Sequence, residues 1–230
     1  MKAARTVVHR SINRSAGAVH EPWFQAHPIH HESFLEKCVV EILLLTPAVA
    51  RIEHQPLELT YRVDGKSHSY FPDYRVTLTD GSQALVEAKG SPFVPAFLKK
   101  LDDGLRIALS ELGMPTYLVP SSSVSPERSG GAADIRRLAR RTAAPESLQA
   151  LREWVTQREV ATVAQAAKAG FDIALIGYAV GRRQLTVGPT FSLAMNQQIW
   201  SFDSYGNLHL DHWLGHPGRA EDVSTRSASR

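Results

Sequence analysis

The sequence predicts an α/β protein: a mixed sheet flanked by helices, followed by a second, small domain of helices and a hairpin. Three observations carry this. Period-two alternation recurs between residues 57 and 89, with turn signals at Asp64-Gly65 and Asp80-Gly81. Helical apolar periodicity precedes and follows that stretch. A Ser, Pro and Gly rich run from Ser121 to Gly131 then separates two parts of different pattern.

Residues 1–29 are basic and irregular, punctuated by Pro22 and Pro28. From His30 to Leu45 the apolar density predicts a packed helix, closed by Pro47. Leu57, Leu59, Tyr61 and Val63 predict a strand, Ser69 to Leu78 its partner, and Ala84 to Lys89 a short third strand ending at Gly90, so a meander is expected. After Pro95, Phe97 to Leu112 reads as a helix stopped by Gly113, and Thr116 to Val119 as a buried strand. Residues 30–120 thus form the first domain. Residues 121–145 read as a linker with a basic helix, Ala132 to Arg141. In 146–214, helices at Glu146 to Arg158, at Ala161 to Ala169 and from Phe171 precede strand-like pieces near Gln184 to Val187, Gln198 to Phe202 and Leu208 to Trp213, with a turn at Tyr205-Gly206-Asn207. Three small helices and a terminal hairpin predict a winged-helix-like domain, with Trp200 and Trp213 in the hairpin core. Residues 215–230 read as a disordered tail.

A formal charge of +3 with ten histidines permits nucleic-acid binding without arguing for it. The single cysteine, Cys38, excludes an internal disulfide and a thiolate zinc site, and suits a reducing compartment. No apolar run reaches membrane-spanning length and the first residues lack a secretory pattern, so a cytoplasmic protein without a membrane partner is expected.

Four residues point to chemistry. Period-two geometry on the third strand sends Leu85, Glu87 and Lys89 to one face, placing a carboxylate beside an ammonium. Asp73 follows Pro72, whose missing amide hydrogen favours an irregular position where the aspartate can turn toward a neighbouring strand end. Glu36 falls between Val39, Val40 and Leu43 on the apolar stripe of the first helix, whereas Lys37 and Glu41 fall off that stripe and are expected to pair through solvent. A carboxylate on a buried face is costly unless a cation or hydrogen bonds compensate it. Hard oxygen ligands from Asp73, Glu87 and Glu36 would suit Mg2+, with Mn2+ as a substitute, and Lys89 would orient or help deprotonate an attacking water. Glu32, one turn before Glu36, is an alternative helical acid. This is the PD-(D/E)xK pattern of phosphodiester hydrolases.

His31-Glu-Ser-Phe-Leu-Glu36, Ile52-Glu-His-Gln-Pro56, Tyr70-Phe-Pro-Asp-Tyr74 and Val86-Glu-Ala-Lys89 resemble, in order and spacing, the amino-terminal domain of TnsA-like transposon endonucleases, over about residues 30–120. The resemblance implies a restriction-endonuclease-like fold. It also implies a bacterial DNA endonuclease subunit of a heteromeric cut-and-paste transposase, nucleoid-associated when active. Such a subunit cuts the 5′ strands at transposon ends beside an integrase-type transposase, and its carboxy-terminal domain contacts an ATPase regulator. By position, Glu36 matches the helical acid, Asp73 the central aspartate, Glu87 the second acid and Lys89 the lysine. Glutamate at 87 replaces the glutamine of the best-known family pattern and restores the commoner form. A stand-alone restriction or repair nuclease and a non-catalytic DNA-binding assembly factor are the alternatives.

Gln55, before Pro56, reads equally as site support, including a phosphate contact, or as a strand-entry hydrogen bond. Arg182 and Arg183 follow the presumed recognition helix, where DNA contacts would lie, although that helix is apolar enough for a protein interface. Lys99, Lys100, Arg106, Arg136, Arg137, Arg140 and Arg141 could track a DNA backbone. His27, His30 and His31 read as an exposed segment before the helix.

Overall fold

The computed structural model describes residues 15–158, 160–203 and 209–214. The basic residues before 15, the turn expected at 205–207 and the tail expected at 215–230 lie outside the described residues. The chain is a mixed α/β protein of two compact units, one holding residues 15–40 and 49–124 and the other 41–48 and 125–213.

The first unit runs β1 (Gly17–Val19), β2 (Ile29–His31), α1 (Phe34–Leu45, whose residues from Glu41 on group with the second unit), β3 (Val49–His54), β4 (Leu59–Val63), β5 (Lys66–Tyr70), β6 (Tyr74–Leu78), β7 (Gln83–Lys89), α2 (Val94–Lys100), α3 (Arg106–Glu111) and β8 (Thr116–Pro120). Its four-stranded sheet has the order β3-β6-β7-β8. The β7–β8 pair is parallel and the other two are antiparallel, so the sheet is mixed, with helices beside it. The one parallel pair follows from the helical crossover between β7 and β8. Leu85 of β7 and Leu118 of β8 pack with Leu59 and with Phe97, Leu101, Leu105 and Leu109 of the crossover. That cluster is the hydrophobic floor beneath one end of β7.

Several expectations change. The first helix begins at Phe34 because His30 and His31 pair with β1, through Ala18↔His30 and Gly17↔His31. His31 is buried and donates from Nδ1 to the Ser15 carbonyl at 3.0 Å, so this segment is not an exposed leader. The long strand expected over 69–78 divides into β5 and β6 at Phe71-Pro72-Asp73, where proline removes a ladder donor. β5 pairs with β4 as a separate hairpin about Asp64-Gly65, and the edge of the main sheet is β3, whose Val-Ala-Arg-Ile-Glu-His run has no strict alternation to announce it. Between α2 and α3, Gly104 adopts φ +134°, and a β-carbon there would stand 2.8 Å from the Arg62 carbonyl oxygen. Only glycine lets the crossover bend this closely over β4.

The second unit runs α4 (Pro126–Ala139), α5 (Pro145–Thr156), β9 (Ala161–Thr162), α6 (Val163–Lys168), α7 (Ile173–Gly181), β10 (Leu185–Val187), β11 (Gln198–Ser201) and α8 (Leu210–Leu214), its last residue grouped with the first unit. Its antiparallel sheet has the order β10-β11-β9. Most of the run expected as a linker is the first half of α4, started by Pro126 at the first turn and by Ser125, whose hydroxyl accepts the Arg128 amide. The Gly-Gly pair survives in a helix because Gly131 lies against the Phe191 carbonyl, where no side chain fits. The last expected strand is the helix α8, so Trp213 fills a core against Phe191 from a helix and not from a hairpin. Glu41, expected in solvent with Lys37, is buried and forms a 3.0 Å ion pair with Arg136. Among the described residues no helix is long and apolar enough to cross a membrane.

Candidate functional site

The antiparallel ladder of β6 and β7 is regular from Thr77↔Gln83 to Tyr74↔Val86 and then gives way. Beyond Tyr74 the backbone bonds are replaced by side chains. The Ala88 amide donates to Asp73 Oδ2 at 2.8 Å, and the Asp73 amide donates to Glu87 Oε2 at 3.2 Å. Pro72 is the local cause, since it ends strand geometry one residue earlier and lets the Asp73 carboxylate reach across to the neighbouring strand. The two acids therefore face each other where the strands part. Glu87 is 1% exposed although it sits at the end of a strand.

Lys89, two residues on along the same face, ion-pairs with Glu87 and lies 3.7 Å from Asp73 Oδ2. Its ammonium also sits 5.6 Å from the centre of the Phe97 ring. Tyr70, at the end of β5, donates its hydroxyl to Glu87 Oε2 at 2.5 Å and packs against Phe97. Tyr70 and Phe97 complete the wall of this site and were not singled out as site residues in the sequence. Tyr70 opens the Tyr-Phe-Pro-Asp motif, so its proximity to Asp73 was legible, but its partner on β7 required the strand pairing.

Glu36 has a double character. Ser33 Oγ accepts the Glu36 amide at 3.1 Å and donates to Glu36 Oε1 at 2.8 Å, while Oε2 accepts the Glu32 amide at 2.7 Å. Ser33-x-x-Glu36 has the sequence of a capping box, but here the Glu36 carboxylate takes the amide of Glu32, one residue before Ser33, at the start of α1. Glu36 is nonetheless in the electrostatic field of the site, coupled to Lys89 and to Asp73.

Burial pushes the Asp73 carboxyl well above the usual range, the Glu87 carboxylate adds to this, and Lys89 opposes it. Burial likewise raises Glu36, offset in part by the Glu32 amide and the Ser33 hydroxyl. Burial works against the charge of Lys89, but the carboxylates of Glu87 and Asp73 outweigh it and hold the ammonium above its ordinary pKa. Tyr70 is raised well above the usual phenol range by burial and then by Glu87, which keeps it a donor. Three carboxylates thus share one ammonium in a poorly hydrated place, and the arrangement is short of positive charge.

That shortage is where a divalent cation would fit. The available donors are carboxylate oxygens, the hard ligands that Mg2+ and Mn2+ prefer. Asp73 and Glu87 are adjacent, whereas both Glu36 oxygens accept hydrogen bonds at the start of α1. Among the described residues no three His, Cys, Asp or Glu side chains already stand as a finished metal cage.

Gln55 ends β3 in the left-handed region, φ +41°, and its amide donates to the Asp73 carbonyl at 2.9 Å. Its own Oε1 is buried without a hydrogen-bond partner among the described residues. A non-glycine residue held there, beside Asp73, is strain stored next to a site. Arg182 and Arg183, expected where DNA contacts would lie, turn to backbone carbonyls. Arg182 Nε donates to the Ala139 carbonyl at 2.8 Å, and Arg183 donates to the Leu44 and Pro47 carbonyls at 3.3 and 3.2 Å while lying over Phe202. Burial lowers the Arg183 pKa to about 10. Both arginines hold the second unit together. Of the other basic residues, Lys99 of α2 and Arg106 of α3 pair with Asp103 and Asp102 in the segment between those helices, and Arg137 pairs with Asp134 within α4.

No protein-family model and no curated protein matches this chain.

Proposed function

We propose that the first unit is a divalent-metal-dependent DNA endonuclease of the restriction-endonuclease-like, PD-(D/E)xK class. In this reading the chain serves as the TnsA-like subunit of a heteromeric transposase, cutting the 5′ strands at transposon ends. The observation that carries this is the parting of β6 and β7 at Asp73 and Glu87, with Lys89 beside both. A purely structural ion pair would match its charges, and this one leaves carboxylates in excess.

Asp73 and Glu87, with Glu36, would hold the cation. When bound, Mg2+ would neutralise phosphate charge and acidify a water. Lys89 is placed to hold the attacking water by hydrogen bond and to offset the charge that grows on phosphorus-bound oxygen. Tyr70 and the Asp73 amide keep Glu87 fixed, and Phe97 limits where Lys89 can go. The Ala88 amide does the same for Asp73. From α5 to β11 the order of elements, helix, short strand, two helices and a two-stranded hairpin, supports a winged-helix-like reading. Its apolar helix α7 packs on α4: at Gly177 a β-carbon would collide with Leu138, and at Gly181 it would stand 2.5 Å from the Ala139 β-carbon. A helix buried in this way is poorly disposed to enter a DNA groove, and the ATPase regulator that the resemblance implies is the partner proposed for the second unit.

The test mixes the full chain with an integrase-type transposase, element-end DNA and Mg2+. Cutting of the 5′ strands is expected, and Asp73→Ala or Lys89→Ala should abolish it. Wild-type cutting by both variants overturns the proposal.

A further inference from the structure

The hydrogen bonds to Glu87 fall unevenly on its two oxygens. Oε2 accepts both the Tyr70 hydroxyl, at 2.5 Å, and the Asp73 amide, at 3.2 Å. A carboxylate has about four lone-pair positions, two on each oxygen, so both positions on Oε2 are taken. Oε1 has the Lys89 ammonium instead. That ammonium marks the side from which positive charge reaches the acids, since it also lies 3.7 Å from Asp73 Oδ2. Asp73 Oδ2 accepts the Ala88 amide, and among the described residues Oδ1 accepts no hydrogen bond. Glu87 thus has a single oxygen to give a cation.

Tyr70 is built to impose this. It is the last residue of β5, and through the register Leu59↔Tyr70 it closes the β4–β5 hairpin, which is separate from the main sheet. Its ring packs against Phe97, with centroids 6.1 Å apart, and both Phe97 and Leu59 belong to the hydrophobic cluster of Leu85 and Leu118. The ring is therefore anchored independently of its hydroxyl, so the hydroxyl directs the carboxylate and does not follow it. Of the two donors on Oε2, one is backbone and the other is this side chain. Merely satisfying a buried carboxylate would be served by donors on either oxygen. Here both converge on one and leave the other to a cation.

Divalent cations differ in what they ask of a carboxylate. Ca2+ takes roughly six to eight oxygens in a flexible set, and often both oxygens of one carboxylate. Mg2+ demands near-octahedral angles, which the narrow bite of a single carboxylate does not satisfy, so it takes one oxygen from each group and keeps several waters.

We propose that Tyr70 is a positioning residue that sets metal specificity: by filling Glu87 Oε2 it limits Glu87 to one ligating oxygen and favours Mg2+ and Mn2+ over Ca2+. The inference rests on the nuclease reading, whose cation it concerns.

The experiment reads metal binding apart from cutting. Free Mn2+ is counted by its electron paramagnetic resonance signal in solutions of the full-length protein, and bound Mn2+ is displaced with Mg2+ or with Ca2+. The ratio of the two half-displacing concentrations is the readout. Tyr70→Phe keeps the ring, frees Oε2 and should move that ratio about ten-fold in favour of Ca2+. Tyr70→Leu, which drops the ring as well, should move it in the same direction. A merely structural role would weaken all the ions alike. An unmoved ratio in Tyr70→Phe, an equal change for both ions, or loss of the fold in both variants by circular dichroism overturns the proposal. Mn2+ binding that is absent, or that Asp73→Ala does not weaken, removes the cation site on which both readings stand. Asp73-dependent binding with an unmoved ratio overturns the Tyr70 inference alone. A shifted ratio in a chain whose 5′-strand cutting does not need Asp73 overturns the nuclease assignment alone.

Discussion

The two units bury charge in opposite ways. In the second, Arg128 donates Nε to the Pro189 carbonyl at 2.6 Å and Nη2 to the Trp213 carbonyl, Arg183 binds two carbonyls, and Glu41 faces Arg136. Each of these cations is matched by backbone oxygens or by one carboxylate. In the first, Asp73, Glu87 and Glu36 share the field of a single Lys89. Matched burial needs nothing further, whereas an excess of one sign must be relieved by a proton or a bound ion. Burial by itself therefore does not mark a site. Imbalance does.

The sharpest way to break that contrast is to remove one member from each side. Asp73→Ala or Lys89→Ala should lower 5′-strand cutting by roughly 10³-fold while the protein stays folded by circular dichroism. Arg183→Ala should leave cutting per folded molecule unchanged but lower stability by about 2–3 kcal/mol, read from the urea midpoint, because two carbonyls lose a charged donor. A variant of Arg183 that lost cutting without losing stability would place it on the functional side after all.

How much of this could be read from the residues alone differs between the units for a related reason. The hairpin turn at Asp64-Gly65, the β7 face of Leu85, Glu87 and Lys89, and the break at Pro72 are local signals, and each is visible in sequence. Edge strand β3 was not, because its faces are Arg51 and Glu53 toward solvent and Val49, Ile52 and His54 inward, with a bulge between Val49 and Arg51 that scrambles the alternation. Gly130-Gly131 suggested a linker, since glycine is weak in helices, yet the close approach of Phe191 selects it inside α4. Arg182 and Arg183 looked available because their carbonyl partners, Ala139, Leu44 and Pro47, are far away in sequence. Charge identity is local information, but charge matching is not.

His54, at the end of β3, adds a pH signature to the first unit. Burial, with the charges of His30 and His31, lowers the His54 pKa to about 4 from its ordinary 6.5. The folded chain then binds fewer protons than the unfolded chain, so this contribution is complete above about pH 6.5 and is lost as pH falls toward 4. The loss should be at most about 3 kcal/mol, and His54→Phe should flatten that part of the stability profile measured by urea unfolding. An unchanged profile in the variant would mean that His54 titrates alike in the folded and unfolded chain.

The smallest expected effect tests the imbalance most directly. Asp73→Asn keeps an oxygen for the Ala88 amide and removes one negative charge from the cluster. In metal-free buffer at neutral pH this variant should be more stable than the wild type, by about 1 kcal/mol, since residues kept for chemistry are commonly unfavourable for stability. The sign with pH follows from the raised carboxyl of Asp73. The folded wild type holds its proton more tightly than the unfolded chain, so its penalty grows as pH rises through the ordinary carboxylate range and vanishes in acid, where the two proteins should converge. Added Ca2+ should then reverse the order, stabilising the wild type in proportion to the logarithm of its concentration and leaving Asp73→Asn nearly unmoved. Parallel responses of the two proteins to Ca2+ would show that Asp73 holds no cation and that the excess charge of this site is relieved by protons alone.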